Sequence, residues 1–167
     1  IRIISHRVIF IIDVSGSMNE PTRAQYVGEQ GEPRMSLAQR ELKKCIDALD
    51  SKALFNIVTF SGGVEPWLDE GVQDSGERSR EEAKGFVDKL GAMGGTNLYG
   101  ALRHAFQDPE VDTIFVLSDG DDGDDAAGVL HALLHRRLVA LGHLDVEPHG
   151  LAALGHLAVD VRRQGLG

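Results

Sequence analysis

The chain has 167 residues, 42% of them hydrophobic and 26% charged, a balance that argues against extended disorder and fits one globular domain. Its single cysteine, Cys45, excludes an internal disulfide, and the longest apolar run, residues 8–12, is far short of the ~20 residues needed to cross a bilayer. A formal charge of −9, from 17 basic and 26 acidic residues, argues against nucleic-acid binding, which rests on phosphate neutralisation, and suits a cation or a basic partner better. The chain starts at Ile1 with neither a methionine nor a signal-peptide pattern, so it reads as a single domain, residues 1–167, cut from a longer protein, with its compartment left open.

In chain order, Val8-Ile9-Phe10-Ile11-Ile12 is β-branched and aromatic without alternation, the pattern of a strand buried on both faces of a parallel sheet. Residues 33–50 follow as an amphipathic helix, with Met35, Ala38, Leu42, Cys45, Ile46 and Leu49 at three- and four-residue spacing and Pro33 near its start. Residues 54–60 form a second buried strand, and 64–68, short and containing Pro66, suit an edge strand. Helices are expected over 79–90 and 97–106, and a third buried strand at 113–117. Beyond it, a helix is expected over 124–137, a weaker strand over 138–144 and a last helix over 150–163. Strands alternating with helices predict an α/β domain, a doubly wound and mostly parallel Rossmann-like sheet with helices on both faces.

Ligands of such sheets bind beyond the carboxyl ends of the strands, where three polar segments fall. Asp13-Val14-Ser15-Gly16-Ser17 follows the first strand, Gly94-Gly95-Thr96-Asn97 precedes the third helix, and Ser118-Asp119-Gly120 follows the third buried strand. Together they offer carboxylates and hydroxyls without sulfur or imidazole, a donor set for a hard cation such as Mg²⁺ or Mn²⁺ rather than zinc. Asp13, Ser15 and Ser17 are alternate residues on a turn, so their side chains can point to one side, and Gly94-Gly95 allows a loop to approach closely and present Thr96.

These residues resemble the metal-ion-dependent adhesion site of von Willebrand factor type A domains, the fold that also serves as the integrin I domain. Residues 10–18, Phe-Ile-Ile-Asp-Val-Ser-Gly-Ser-Met, match the start of many bacterial members, and the likeness extends over residues 7–119. The resemblance implies that Ser15, Ser17 and Thr96 reach the metal directly and Asp13 and Asp119 mostly through water. It implies Mg²⁺ as the cofactor, with Mn²⁺ or Ca²⁺ able to replace it, and a protein partner whose Glu or Asp carboxylate takes the open position. Gly16, Met18, Gly95, Asn97 and Gly120 would then lie at the partner surface. No nucleic acid and no membrane insertion is expected.

The motif contains no nucleophile–base pair, so no enzyme is expected. A Mg²⁺-dependent phosphotransferase of the haloacid-dehalogenase type needs a second Asp two positions after the first, where this chain has Ser15, and a serine hydrolase needs Gly-x-Ser-x-Gly. A non-adhesive module of a larger chelatase or ATPase complex is the alternative.

Other features read as ordinary structure. Asp119 to Asp125 suit a solvated acidic loop that caps the next helix, and only Asp119 carries the metal expectation there. His131 and His135 have zinc-protease spacing, but Ala132 stands where the general-base Glu would be. Cys45 reads as a packed, inert thiol, Trp67 as packing near an edge strand, and Arg78, Arg80 and Lys84 as a solvated helix face. The loop 19–32, which leaves the site directly after Ser17, is expected to shape partner choice.

Overall fold

The computed structural model describes residues 5–22, 31–119 and 155–160. The apolar run at 8–12 lies within strand β1, Arg7–Asp13, and all but its first residue is buried. A short 3-10 helix, Gly16–Asn19, leads from it, and α1, Arg34–Asp47, follows. Strand β2, Leu54–Phe60, pairs in parallel with β1, with Arg7 opposite Leu54 and Asp13 opposite Phe60. The short strands β3, Val64–Pro66, and β4, Gln73–Asp74, both pair antiparallel with β2. Helices α2, Glu77–Asp88, and α3, Leu98–Ala105, precede β5, Thr113–Ser118, which runs parallel to β1 on its other side. Strand β6, Gly155–Asp160, closes the described part of the sheet, antiparallel to β5.

The sheet order is β3-β2-β1-β5-β6, with β4 also on β2. The three central strands are parallel and the antiparallel pairings are confined to the flanks, so the expected α/β architecture holds with a mixed sheet. Alternation along the central strands feeds two cores. Val8, Phe10, Ile12, Phe55 and Ile57 pack with Met35, Ala38, Leu42 and Ile46 of α1 and with Ala83 and Val87 of α2. Ile9, Ile11, Val58, Ile114 and Val116 pack on the opposite face with Leu98, Ala101, Leu102 and Ala105 of α3. This two-sided burial is why these strands are mostly apolar, and the buried polar Asn56 and Thr59 of β2 bond to backbone carbonyls of the 65–71 segment.

One expected element is corrected. Residues 155–160, placed within a helix over 150–163, form β6 instead. The free edge of β5 presents a row of backbone donors and acceptors, and pairing along six residues satisfies them; that tertiary demand outweighs a weak helical pattern. The expected helix at 124–137, the strand at 138–144, the acidic loop after Gly120 and the two histidines of residues 131 and 135 lie outside the described residues. No helix among the described residues is long and apolar enough to cross a membrane.

Candidate metal centre

The carboxyl ends of β1 and β5 lie side by side because the two strands are in parallel register. Asp13, the last residue of β1, is fully buried. Its Oδ1 accepts the backbone N–H of Ser15 at 2.7 Å, which folds the chain into a tight turn. Its Oδ2 accepts the hydroxyl of Ser118, the last residue of β5, at 3.3 Å. The turn sets the hydroxyls of Ser15 and Ser17 3.1 Å apart, and Ser15 is itself buried.

Two backbone bonds lace the glycine loop onto this turn. Met93 N–H donates to Val14 O at 2.8 Å, and Gly16 N–H donates to Gly94 O at 3.1 Å. Gly94 has φ of 81°, the left-handed region that a side chain would oppose, so a glycine is needed for the chain to turn there. The loop then exposes Gly95 and Thr96. The side chain of Asn19, at the end of the 3-10 helix, adds a bond to Ala92 O at 2.9 Å.

Asp119 follows β5 directly, and only 1% of its side chain is exposed. Its Oδ2 accepts Nη1 of Arg34 at 2.7 Å, and the same Nη1 stands 3.5 Å from Ser17 O. The structure therefore gathers Asp13, Ser15, Ser17 and Asp119 at one end of the sheet and ties the Thr96 loop to the same turn. Among the described residues no three or more His, Cys, Asp and Glu side chains cluster as metal ligands. The candidate centre is instead a hydroxyl-rich one, and its hard oxygen donors fit a hard cation.

The von Willebrand factor type A domain profile matches residues 8–121. The chain belongs to that family. It is 35% identical over 130 residues to inter-alpha-trypsin inhibitor heavy chain H4 of Sus scrofa, which covers 71% of the chain and 12% of that protein. Among solved structures, a von Willebrand factor type A protein from Catenulispora acidiphila superposes with a TM-score of 0.59 at 26% identity, covering 83% of the chain and 31% of that one. Proximal thread matrix protein 1 of the mussel byssus, solved with a zinc-occupied MIDAS motif, superposes with a TM-score of 0.54 at 21% identity, over 80% of the chain and 34% of its own, and shows the shared fold alone. The chain spans about a tenth of the length of the curated relatives it matches. Type A domains are mostly non-enzymatic protein-interaction modules and often hold a divalent metal at a MIDAS motif.

Within this type A domain, two of the residues expected at the partner surface have other work. Met18 is fully buried in the core beneath α1, because the 3-10 turn points it inward. Asn97 caps α3: its Oδ1 accepts the Gly100 N–H at 2.9 Å. Gly16 is half-buried and Gly95 exposed, and Gly120 lies outside the described residues.

Sequence reasoning missed Arg34, which reads as an ordinary first residue of an amphipathic helix; its partner Asp119 is 85 positions away. It also misjudged Arg80. Rather than lying on a solvated face, its guanidinium donates to Asp47 O, Leu49 O and Ser75 O and binds the end of α1 to the start of α2. Of the loop 19–32, only the neck is described: Thr22 N–H donates to Glu32 O at 2.8 Å, and Pro21 bridges Pro33.

Proposed function

We propose that this type A domain is a cation-dependent protein-binding module, not an enzyme, in which Ser15, Ser17 and Thr96 hold a Mg²⁺, with Mn²⁺ or Ca²⁺ able to replace it. Asp13 and Asp119 support the ion, mostly through water. The observation that carries this reading is the 3.1 Å separation of the Ser15 and Ser17 hydroxyls. Two oxygens on adjacent vertices of an octahedron with bonds of ~2.1 Å stand about 3 Å apart, so the pair needs little rearrangement to serve one Mg²⁺.

Charge supports the same reading. The hydrogen bonds to buried Asp13 come from a backbone N–H and a hydroxyl, both neutral, and a cation nearby would offset the cost of burying its charge. When bound, the ion supplies a Lewis-acidic centre for an outside oxygen ligand. The chain offers mainly neutral hydroxyls to it, which leaves positive charge for a partner's Glu or Asp carboxylate. Gly95 and Thr96 are exposed, as are Met93 on the same loop and Tyr99 in the first turn of α3, the only large hydrophobics exposed among the described residues. They suit a protein partner that places apolar contacts around its acidic residue.

Mn²⁺ binding to the purified chain, followed by electron paramagnetic resonance, tests this. One saturable site is expected, with affinity lost or at least about tenfold weaker in Asp13→Ala and Thr96→Ala. Absence of a saturable site both in the parent chain and in Arg34→Met, which removes the charge beside Asp119, sinks the reading. Turnover of p-nitrophenyl phosphate or acetate, expected to be absent, would point to an enzyme instead.

A second reading is a non-adhesive module serving a larger chelatase or ATPase assembly. It predicts partner binding that persists in EDTA, whereas the first reading predicts its loss.

A further inference from the structure

We infer that Arg34 is a built-in restraint on this centre: its guanidinium occupies Asp119 and moves onto Glu20 when a cation binds. The inference rests on the metal-binding reading proposed above and adds a regulator to it.

The geometry supplies both seats. The side chain of Asp119 is almost wholly buried and that of Arg34 about a quarter exposed, so their 2.7 Å pairing is only partly screened by water. Nη2 of the same guanidinium stands 3.5 Å from Oε2 of Glu20, whose side chain is 65% exposed. The base of the side chain cannot drift, because Arg34 N–H donates to Glu20 O at 2.9 Å and the neck of the loop is bridged beside it. The guanidinium therefore has a fixed pivot, a buried carboxylate on one side and a solvated one on the other.

A divalent ion held by Ser15 and Ser17 would meet Arg34 as a like charge contesting the same carboxylate. Repulsion between cations a few ångströms apart is large where water is excluded. Sliding the guanidinium toward Glu20 relieves it and returns Asp119 to the ion. The site is thereby weakened in proportion to how firmly Arg34 holds Asp119, and an acidic partner that adds negative charge at the rim favours the exchange.

The test is a set of Mn²⁺ isotherms on the 167-residue chain, with parent, Arg34→Met, Arg34→Lys and Glu20→Gln compared in one buffer. Thermal melts in EDTA confirm that each variant folds. Arg34→Met is expected to bind Mn²⁺ at least about tenfold more tightly, and Arg34→Lys, which keeps the charge, to fall between it and the parent. Glu20→Gln is expected to bind more weakly, and that loss should vanish when it is made in the Arg34→Met background. An Arg34→Met affinity equal to or below the parent's overturns the restraint while leaving the metal site standing. Absence of Mn²⁺ binding in both overturns the restraint and the metal reading together. Binding in Arg34→Met alone supports a restraint strong enough to close the site. Should Arg34→Met fail to melt cooperatively, an unchanged affinity in Glu20→Gln overturns the inference by itself.

Discussion

Cys45 lies on α1 beside Leu42 and Ile46, and packs partly buried against the core that they form with Leu49 just beyond the helix. Burial foremost, then the negative charge of Glu41, pushes its thiol above the ordinary cysteine range, with Lys44 pulling weakly the other way. The neutral thiol is thus the form the fold prefers, and thiolate is the form that reacts. At pH 8 the native chain should react with a disulfide reagent at least about tenfold more slowly than the chain unfolded in urea. Equal rates would show that the thiol is neither buried nor raised. The sign for stability follows from linkage. The unfolded chain loses the proton first, so this contribution is intact below the ordinary thiol range and falls away as pH climbs through the raised value. Residue types alone made Cys45 legible, since a cysteine in a helical apolar stripe is a packing residue. The same holds for Asp13, Ser15 and Ser17, whose alternate spacing after a buried strand is local information. Arg34 was not legible, because nothing near it in the sequence distinguishes it; only the parallel pairing of β1 and β5 brings Asp119 within its reach.

Among the elements, α3 depends most on its first turn. It is eight residues long, and an isolated helix of that length would not persist in water. Asn97 satisfies one of its unpaired N–H groups, and Gly100 makes room, since a Cβ there would lie 2.7 Å from Asn97 Nδ2. Asn97→Ala should cost about 1 kcal/mol of stability, read as a shift of the urea midpoint at unchanged slope. A cost below a few tenths would mean that packing of Leu98 and Leu102 carries the helix unaided. Reading Gly-Gly-Thr-Asn as a ligand loop hid this cap, although an asparagine just before an apolar-periodic run is an N-cap signal. The helices α1 and α2 were legible from three- and four-residue spacing, and their ends agree with the expected ones to within three residues. Strand β6 was not, because its identity rests on the unpaired edge of β5 rather than on its own periodicity.

At the scale of the molecule, the parallel centre of the sheet was legible because burial on two faces leaves a predominantly apolar, non-alternating signature in β1, β2 and β5. The antiparallel strands β3 and β4 are short and part-exposed, so they leave a weaker trace. An aromatic row joins these strands on the α1 and α2 side. Phe10 stacks on Phe115 with ring centres 5.5 Å apart, meets Phe55 edge-on at 6.4 Å, and Phe55 stacks on Trp67 at 5.5 Å. Phe10 stands in the middle of that row and in the middle strand of the sheet, fully buried. Neighbours on both sides are fixed by strand pairing, so they cannot collapse into the space its ring would leave. Phe10→Ala should therefore cost about 3–5 kcal/mol, a large part of the ~5–15 kcal/mol that holds a domain of this size. Urea unfolding followed by Trp67, the chain's single tryptophan, measures it at the far end of the same row. A loss below about 1 kcal/mol would mean that the strands can close over the cavity. The end of β1 that carries Asp13 would then be less rigidly held than its hydrogen bonds to Ser15 and Ser118 require.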